Sequence, residues 1–407
     1  MMAALDDSFA SESVTAEEVR RVAADDTLEN KWIRNQFLVS QTGGTTGERA
    51  IVVTDRESWD LQGAAIFCRT NRGVSPRRRL KGLLTGEKFR MAMLVAECPS
   101  CVTWQSARSS QQRGSRLAQT ELLSILAPLD ESIARLNQFQ PHYFFVYPSY
   151  LRAIALARLN GTPVTFDPVT LTVGCEILTG PDRELIQQAF PKSRLINQYG
   201  TTECVALGVS CPAGQIHANV DYVLLEPVNA QYQPVPTGVF SDRLLITNLT
   251  NRVQPIIRYE LSDSIRVLEQ PCDCGSPLPV IELRGRADDV MYLVDGHNTT
   301  REVLPMSFYT GLASCQQLDF MQLVHVRQNE LELRLVPAPS ANAGAACKAA
   351  VNILRNVLAR FDLDQTVQIR PVIVDSIART KAAGKLKVIC SEVDRNEATK
   401  FQVRRAA

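Results

Sequence analysis

Residues 143–196 read YFFVYPSYLRAIALARLNGTPVTFDPVTLTVGCEILTGPDRELIQQAFPKSRLI. Short apolar runs suited to buried strands alternate here with longer segments of helical periodicity. The predicted strands are 143–147, 171–178 and 194–196, and the predicted helices are 149–159 and 182–190. Strands that alternate with helices are typical of a parallel sheet covered by helices. The sequence therefore predicts an α/β fold with mostly parallel sheets.

The length of 407 residues favours more than one domain. A single hydrophobic core rarely grows beyond about 250 to 300 residues, so two domains are expected. The short strands and turns that follow residues 243–247 give way, beyond Gly285-Arg286, to a separate α+β pattern. Its predicted helices are 301–313 and 345–360, and its predicted strands are 322–327, 330–336 and 367–374. We expect a large multi-layer domain over residues 1–287 and a small α+β domain over residues 288–407.

The charges are balanced, with 44 Lys and Arg against 43 Asp and Glu. Such a balance gives no bulk attraction for nucleic acid or for an anionic membrane. No apolar run approaches the roughly 20 residues that span a bilayer, and residues 1–13 lack the pattern of a secretory signal. In that setting the 11 cysteines indicate reduced thiols or metal ligands rather than a disulfide framework. We expect a cytoplasmic protein without nucleic-acid or membrane partners.

A Gly- and Thr-rich loop lies between a predicted amphipathic helix at 14–37 and a predicted strand at 51–54. Glycines let the backbone turn and approach a ligand closely, and threonine hydroxyls can donate to anionic oxygens. The loop is neither a Walker A motif nor a G-x-G-x-x-G turn. An ordinary flexible turn is the alternative. The candidate phosphate-binding residues are Thr42, Gly43, Gly44, Thr45, Thr46 and Gly47.

A second motif, Asn-Gln-Tyr-Gly-Thr-Thr-Glu, occupies residues 197–203 directly after a predicted buried strand. The carboxyl ends of parallel strands commonly build ligand sites. A tyrosine can cover a base, a hydroxyl can bind a phosphate, and a carboxylate can hold Mg²⁺, which prefers oxygen ligands. A helix N-cap at one of the threonines is the alternative. The candidate residues are Tyr199, Gly200, Thr201, Thr202 and Glu203.

Two further motifs follow in order, Arg-Tyr-Glu-Leu-Ser-Asp at 258–263 and Leu-Arg-Gly-Arg-Ala-Asp-Asp at 283–289. Together with the two loops they resemble the ordered motifs of the adenylate-forming superfamily of acyl-CoA synthetases. Within that superfamily the chain resembles the branch of phenylacetate–CoA ligase-like and coenzyme F390 synthetase-like proteins. The resemblance runs from about Phe37 to the C-terminal region, and it implies a large domain joined by a hinge to a small one.

The resemblance implies roles in ATP chemistry for the motif residues. The end of the phosphate loop would grip the β and γ phosphates, Tyr199 would lie against adenine, and Thr202 would contact the α-phosphate. Glu203 would hold Mg²⁺, and Asp263 and Arg286 would fix the ribose. Because a substrate carboxylate attacks the α-phosphate, the protein's task is to position the reactants and to neutralise charge.

Two residues are implied to serve domain movement and catalysis. Asp288 would be the hinge about which the small domain rotates between adenylation and thioester formation. Lys385 ends the segment Arg-Thr-Lys-Ala-Ala-Gly-Lys and matches the family's final Gly-Lys motif, whose lysine steadies the developing charge. Lys387 is held in reserve for that role. The alternatives are an exposed turn at Asp288 and a surface lysine at 385.

Two separate segments carry candidate metal ligands. Cys211 and His217 lie in one, and Cys272 and Cys274 lie in a Cys-Asp-Cys-Gly turn. Three thiolates and an imidazole are the ligand set of a closed, tetrahedral structural Zn²⁺ site. Reduced cysteines without a metal are the alternative, and Cys204 is a substitute ligand.

The expected activity is activation of a carboxylic acid by ATP to an acyl-adenylate with release of pyrophosphate, followed by transfer to coenzyme A. ATP and Mg²⁺ are the expected cofactors. An aromatic acid is the first choice of substrate, although the aromatic side chains at 143–150 fit a core equally well. The alternatives are transfer to an amine, a hydroxyl or a carrier-protein thiol in secondary metabolism, and a nucleotide-binding homologue without catalysis. A homodimer is a further expectation.

Overall fold

The computed structural model describes residues 5, 8–10, 13–25, 27–42, 50–70, 88–112, 118–125, 127–286, 291–303, 307–308, 312, 315, 317–338, 341–378 and 386–393. None of the helices in this part of the chain combines the length and the apolarity needed to cross a membrane. The helices are α1 (Ala16–Ala24), α2 (Arg56–Thr70), α3 (Val102–Gln112), α4 (Leu129–Phe139), α5 (Pro148–Leu159), α6 (Gly180–Ala189) and α7 (Ala343–Ala359).

The largest sheet has nine strands. They are β4 (Phe89–Val95), β5 (Ala118–Ser124), β6 (Tyr143–Val146), β7 (Thr170–Val173), β8 (Arg194–Tyr199), β9 (Gly208–Ser210), β10 (Ile216–Ala218), β14 (Asp263–Val267) and β15 (Val280–Arg286). Their order in the sheet is β14-β15-β10-β9-β8-β7-β6-β4-β5. Neighbours are parallel from β5 to β8 and antiparallel from β8 to β14. The predicted α/β fold is confirmed, although this sheet has as many antiparallel as parallel pairs of neighbours rather than the mostly parallel arrangement expected.

The aromatic run at 143–150 lies in the core of this sheet. Phe144 is fully buried and packs edge-to-face on Phe166, with ring centroids 6.0 Å apart. Tyr147 and Tyr150 are also buried, and the Tyr150 hydroxyl donates to the Ala127 carbonyl at 3.1 Å. Full burial of a large apolar side chain contributes roughly 1.5 to 3 kcal/mol. These aromatics therefore stabilise the fold, which is the second of the two interpretations that the sequence left open.

Four smaller sheets complete the part of the fold that the structure describes. Their strands are β1 (Trp32–Ile33), β2 (Phe37–Gln41) and β3 (Ile51–Asp55); β11 (Val223–Val228), β12 (Arg243–Asn248) and β13 (Tyr259–Leu261); β16 (Met291–Val294) and β17 (Thr300–Val303); and β18 (Leu318–Arg327), β19 (Glu330–Pro337), β20 (Gln368–Ile373) and β21 (Ile389–Ser391). The last set has the order β20-β19-β18-β21 and forms, with α7, the small α+β unit predicted for the C-terminal region.

The C-terminal unit has its own apolar core, in which Leu323 and Leu333 of the sheet and Leu354 of α7 are fully buried. The large sheet ends at Arg286 and β16 begins at Met291. The predicted boundary between 287 and 288, and the predicted hinge Asp288, lie outside the described residues. The division of the chain at that point stays a prediction.

The helix expected over residues 14–37 is much shorter. The helix α1 ends at Ala24, and Asp25 follows in an extended conformation. The fully buried Lys31 donates through Nζ to the carbonyls of Val22 at 2.9 Å and Ala23 at 3.4 Å. Because these donations satisfy carbonyls that another helical turn would otherwise bond, the chain leaves the helix and enters β1 and β2.

The helix expected at 301–313 begins instead as a strand. Residues 300–303 form β17, which pairs with β16. Arg301 is held there by an ion pair with the buried Asp295, Nε to Oδ2 2.8 Å. Most of the remainder of 304–314 lies outside the described residues.

Candidate functional site

The Tyr-Gly motif lies at the carboxyl end of β8. The other parallel strands of the large sheet end at the same edge. The Tyr199 hydroxyl donates to Oδ2 of Asp263 at 2.7 Å. Asp263 opens β14, and its backbone register partner on β15 is Arg286. The fold thus brings Tyr199 and Asp263 together and sets the backbone of Arg286 opposite Asp263, while the side chain of Arg286 lies outside the described part of the structure.

Gly200 is required by close backbone packing. A Cβ at this position would lie 2.3 Å from the carbonyl oxygen of Val205, a backbone atom that cannot give way cheaply. The Thr201 amide donates to the Cys204 carbonyl at 2.9 Å, and the Cys204 amide donates to the Thr201 hydroxyl at 3.3 Å. Residues 200–206 form turns rather than a helix, so the alternative of a helix N-cap is wrong.

Glu203 is buried in this turn, with 6% of its surface exposed. Its carbonyl accepts a hydrogen bond from the Asn248 side-chain amide at 2.8 Å. Among the residues that the structure describes, none forms a hydrogen bond or ion pair with its carboxylate. A carboxylate oxygen is the type of ligand that a hard cation such as Mg²⁺ prefers. Thr202, next to it, is partly exposed.

Three buried amide side chains that sequence reasoning missed hold this turn in place. Gln62 of α2 accepts from the Val205 amide at 3.0 Å and donates to the Thr250 hydroxyl at 2.9 Å. Asn219 donates to the Ala206 carbonyl at 2.8 Å, and Asn248 binds Glu203 as described. The signal in the sequence was weak, because each amide stands alone among apolar neighbours and its partner is distant along the chain.

The base of the phosphate loop is closed by a hydrogen-bonded pair. The Thr42 amide donates to the Ala50 carbonyl at 2.9 Å, and the Ala50 amide donates to the Thr42 hydroxyl at 3.0 Å. The Gln41 amide donates to the Ser100 carbonyl at 2.8 Å, which ties the loop to the segment after β4. Gly43, Gly44, Thr45, Thr46 and Gly47 lie outside the described residues, so their predicted role stays a prediction.

The segment that contains Ser100 carries a disulfide between Cys98 and Cys101. This pair departs from the expectation of reduced thiols or metal ligands, whereas the other nine cysteines are free thiols. The sequence analysis did not single out this Cys-Pro-Ser-Cys pair, which follows β4.

Glu176 is a site residue that the sequence motifs did not single out. It follows β7, and its carboxylate accepts from two backbone amides, Ser149 at 3.0 Å and Leu386 at 2.9 Å. Leu386 is buried and directly follows Lys385, which itself lies outside the described residues. Lys387, held in reserve for the catalytic role, is partly buried, and its carbonyl accepts from the Gln322 side chain at 2.9 Å.

The four predicted zinc ligands form one cluster. The ligand atoms of Cys211, His217, Cys272 and Cys274 all lie within 4.8 Å of one another. Cys211 Sγ is 3.6 Å from Cys272 Sγ, and Cys274 Sγ is 3.3 Å from His217 Nε2. Four atoms at these separations can surround one tetrahedral ion, since Zn–S and Zn–N bonds measure about 2.0 to 2.3 Å.

Local structure explains why these residues meet. Cys211 directly follows β9, and His217 lies in β10, the antiparallel neighbour of β9, where its register partner is Val209. Gly275, with φ of +72°, closes the turn that bears the other two cysteines. His217 Nδ1 lies 2.8 Å from the Leu278 carbonyl, an arrangement that leaves Nε2 for a metal. Cys204 takes no part in the cluster. Burial raises the pKa of Cys204 to about 12, so it is a thiol and not a substitute ligand.

No model of a known protein family matches the chain. A solved structure of 2-hydroxyisobutyryl-CoA ligase in the postadenylation state superposes with a TM-score of 0.63 at 17% identity, over 98% of this chain and 83% of that one. The amide bond synthetase McbA from Marinactinospora thermotolerans superposes with a TM-score of 0.56 at 14% identity, over 91% and 69% of the two chains. The protein therefore has the fold of the adenylate-forming enzymes, and the fold that its motifs implied is confirmed.

A curated relative adds sequence similarity to the likeness of fold. Phenylacetate-coenzyme A ligase from Thermus thermophilus is 24% identical over 172 residues, which cover 40% of this chain and 38% of that protein. The match thus spans less than half of either protein. It agrees with the phenylacetate–CoA ligase-like branch that the motifs indicated.

Proposed function

We propose that this protein uses ATP to activate a carboxylic acid as an acyl-adenylate, releasing pyrophosphate, and then transfers the acyl group to coenzyme A. The observation that carries the proposal is the 2.7 Å hydrogen bond between Tyr199 and Asp263. It joins the residue proposed to cover adenine to the residue proposed to bind the ribose, at the edge of the sheet where ligands of α/β proteins bind. Arg286, in backbone register with Asp263, completes the ribose site.

The remaining residues of the edge fit the charge changes of adenylation. Thr42 to Gly47 bind the β and γ phosphates, Gly200 and Thr201 shape the turn, and Thr202 contacts the α-phosphate. Glu203 holds Mg²⁺ through its carboxylate, and the hydrogen bond from Asn248 to its carbonyl fixes the backbone at this position. Lys385 neutralises charge as the substrate carboxylate attacks. No covalent intermediate with the enzyme is needed, because positioning and electrostatic stabilisation are sufficient for such a displacement.

Acid-dependent exchange of radiolabelled pyrophosphate into ATP tests the first half-reaction. A panel of aromatic and aliphatic acids should contain at least one that supports exchange, and Glu203→Gln should abolish it. Glu184→Gln, an exposed residue of α6, is the matched control and should exchange at the wild-type rate. A wild-type protein that exchanges with no acid would contradict adenylation and favour a nucleotide-binding homologue without catalysis.

An aromatic acid is the proposed substrate class, supported by the partial similarity to phenylacetate-coenzyme A ligase. The aromatic side chains at 143–150 give no support, because they are buried in the core. Exchange rates with phenylacetate and benzoate that exceed those with acetate and 2-hydroxyisobutyrate would bear out this choice. The reverse order would overturn it while leaving adenylation intact.

An amine acceptor is the second candidate, favoured by the structural similarity to an amide bond synthetase. Loading the enzyme with the active acid and ATP, then adding coenzyme A, a panel of amines or a carrier protein, distinguishes the acceptors by the mass of the product. Coenzyme A should discharge the adenylate fastest. If only an amine, a hydroxyl or a carrier thiol discharges the adenylate, coenzyme A is not the acyl acceptor.

The catalytic lysine is tested by parallel substitutions. Lys385→Ala should lower exchange by about 100-fold or more, the range for loss of a group that neutralises charge in a transition state. Lys387→Ala should leave exchange near the wild-type rate. The opposite pattern would assign the role to Lys387. If neither substitution changed the exchange rate, neither lysine would take part in adenylation. Movement of residues 288–407 about Asp288 between the two half-reactions is part of this proposal.

We also place a structural Zn²⁺ at the cluster of Cys211, His217, Cys272 and Cys274, with 1:1 metal content as the expected result. The cluster is formed by β9, β10 and the turn before β15, so the metal would fasten strands that continue into the site edge. It supplies stability rather than chemistry, because four protein ligands leave no open position for substrate.

A further inference from the structure

The segment after β7 contains the one carboxylate among the described residues that joins the large sheet to the backbone following Lys385. Oε2 of Glu176 accepts from the Ser149 amide at 3.0 Å, at the start of α5. Oε1 accepts from the Leu386 amide at 2.9 Å, 210 positions along the chain. The two oxygens of a single side chain thus bind one amide from each part of the fold.

We infer that Glu176 is a positioning residue that fastens the Lys385–Leu386 peptide to the edge of the large sheet during adenylation and releases it for acyl transfer. This inference rests on the proposed function and assigns to it a residue that no motif indicated. The amide that Glu176 binds belongs to the planar peptide group that links Leu386 to Lys385. Because the amide is joined covalently to Lys385, a contact that holds it bears directly on the lysine proposed to act in adenylation.

The hydrogen bond between Glu176 and Leu386 is strong and is shielded from water. Hydrogen bonds from backbone amides to an ionised carboxylate are roughly twice as strong as bonds between neutral groups. Glu176 is partly buried and Leu386 is 5% exposed, so water competes only weakly for the bond. Ser149 holds the other oxygen in place, which restricts the side-chain rotamers that could point elsewhere.

The position of Glu176 in the large sheet also supports the inference. Glu176 follows β7, which lies beside β8 in the parallel part of the sheet, so it comes from the same edge as Tyr199. The adjacent Cys175 has a φ of +70°, a left-handed conformation that favours glycine. Holding such a backbone at the end of a strand is typical of functional edges, where local strain is compensated by surrounding contacts.

The contact between Glu176 and Leu386 is reversible. One hydrogen bond can be broken and remade at a modest cost in free energy. The backbone at Leu386 can therefore leave Glu176 once the adenylate has formed. The Ser149 bond lies within the large sheet unit and does not need to break.

The test separates the two half-reactions in Glu176→Gln and Glu176→Ala, with Glu184→Gln as the control. With the acid found active in the panel, pyrophosphate exchange should fall about 10- to 100-fold, the equivalent of one charge-assisted hydrogen bond. Discharge of the chemically synthesised acyl-adenylate by the acceptor should stay within about twofold of wild type. A merely structural role for Glu176 would lower both half-reactions by the same factor, which would overturn the inference.

Hydrogen–deuterium exchange supplies a readout that does not depend on activity. In Glu176→Ala, peptides over 386–393 should exchange severalfold faster than in wild type, and the melting temperature should change little. If only peptides at the start of α5 exchange faster, the carboxylate caps that helix and does not position the tail. A wild-type protein without any acid-dependent exchange would defeat the proposed function, while this comparison would still decide whether Glu176 holds the tail.

Discussion

Arg152 of α5 and Asp182 of α6 form a buried ion pair, with Nε 3.2 Å from Oδ1 and side chains 4% and 11% exposed. The guanidinium also donates to the carbonyls of Cys315, at 2.6 Å, and Leu318, which precede and open β18. Burial lowers the pKa of Arg152 and raises the pKa of Asp182, so each charge depends on the other. The pair therefore joins the large sheet unit to the C-terminal unit.

Removing one partner of this pair should destabilise the fold strongly. Asp182→Asn leaves a buried guanidinium without its counter-charge, which costs about 3 to 5 kcal/mol. The double variant Arg152→Met with Asp182→Leu should recover a large part of that loss. Urea unfolding of the single and double variants measures both free energies. A single variant within about 0.5 kcal/mol of wild type would show that the pair is unimportant.

The bond between Tyr199 and Asp263 should affect nucleotide binding rather than stability. Tyr199→Phe removes a hydrogen bond to a charged group, so the KM for ATP should rise about 10-fold or more. Tyr232→Phe is the matched control, because its hydroxyl donates to Glu260 at the same distance of 2.7 Å on an exposed surface. Pyrophosphate exchange measured against ATP concentration gives both values. Equal effects in the two variants would argue against a nucleotide site at Tyr199.

Gly200→Ala should distort the turn that bears Glu203. The added methyl would meet the Val205 carbonyl oxygen at 2.3 Å, so the backbone must shift. We expect a loss of stability of roughly 1 to 3 kcal/mol and nearly complete loss of exchange activity. Gly63→Ala, in the exposed face of α2 with nothing within 4 Å, should instead stabilise by about 0.5 to 1 kcal/mol. Thermal unfolding with activity assays compares the pair.

The cysteine cluster should bind one zinc ion per chain. Cys274→Ser should lose the metal and lower the melting temperature, while Cys68→Ser, at an exposed thiol of α2, should retain both. Elemental analysis by mass spectrometry and thermal unfolding in the presence of a chelator make the comparison. Metal-free protein with wild-type stability would mean that these side chains are ordinary reduced cysteines.

His325 should make the C-terminal unit sensitive to acid. Burial lowers the pKa of His325 to about 4, whereas an unfolded histidine titrates near 6.5. Between about pH 4 and pH 6.5, His325 is protonated in the unfolded chain but neutral in the folded chain. Stability should therefore be constant above about pH 7 and fall as the pH drops from 6.5 to 4, by on the order of 3 kcal/mol. His325→Gln should flatten this window in urea titrations at several pH values, and an unchanged slope would refute the assignment.

Local patterns predicted the parts of the site that are local. The Tyr-Gly motif and Asp263 could be located because each ends or begins a strand whose apolar run is visible in the sequence. The zinc ligands could be grouped because their residue types are few. Glu176 and Gln62 could not be found in this way, since their partners Leu386 and Val205 are distant along the chain. The early end of α1 could not be predicted either. Lys31 contacts the carbonyls of Val22 and Ala23 across a turn that has no sequence signature.

The change of direction at β8 bears on how this scaffold could be re-engineered. A parallel neighbour needs a long crossover, whereas an antiparallel neighbour can follow after a short return. β8 pairs in parallel with β7 but antiparallel with β9, so the chain returns over residues 200–207 alone. Insertions that broaden substrate choice therefore belong in the crossovers between parallel strands, such as residues 160–169 between α5 and β7. The connection between β8 and β9 that carries Glu203 is short, so its length should be the last feature to be changed in a redesign.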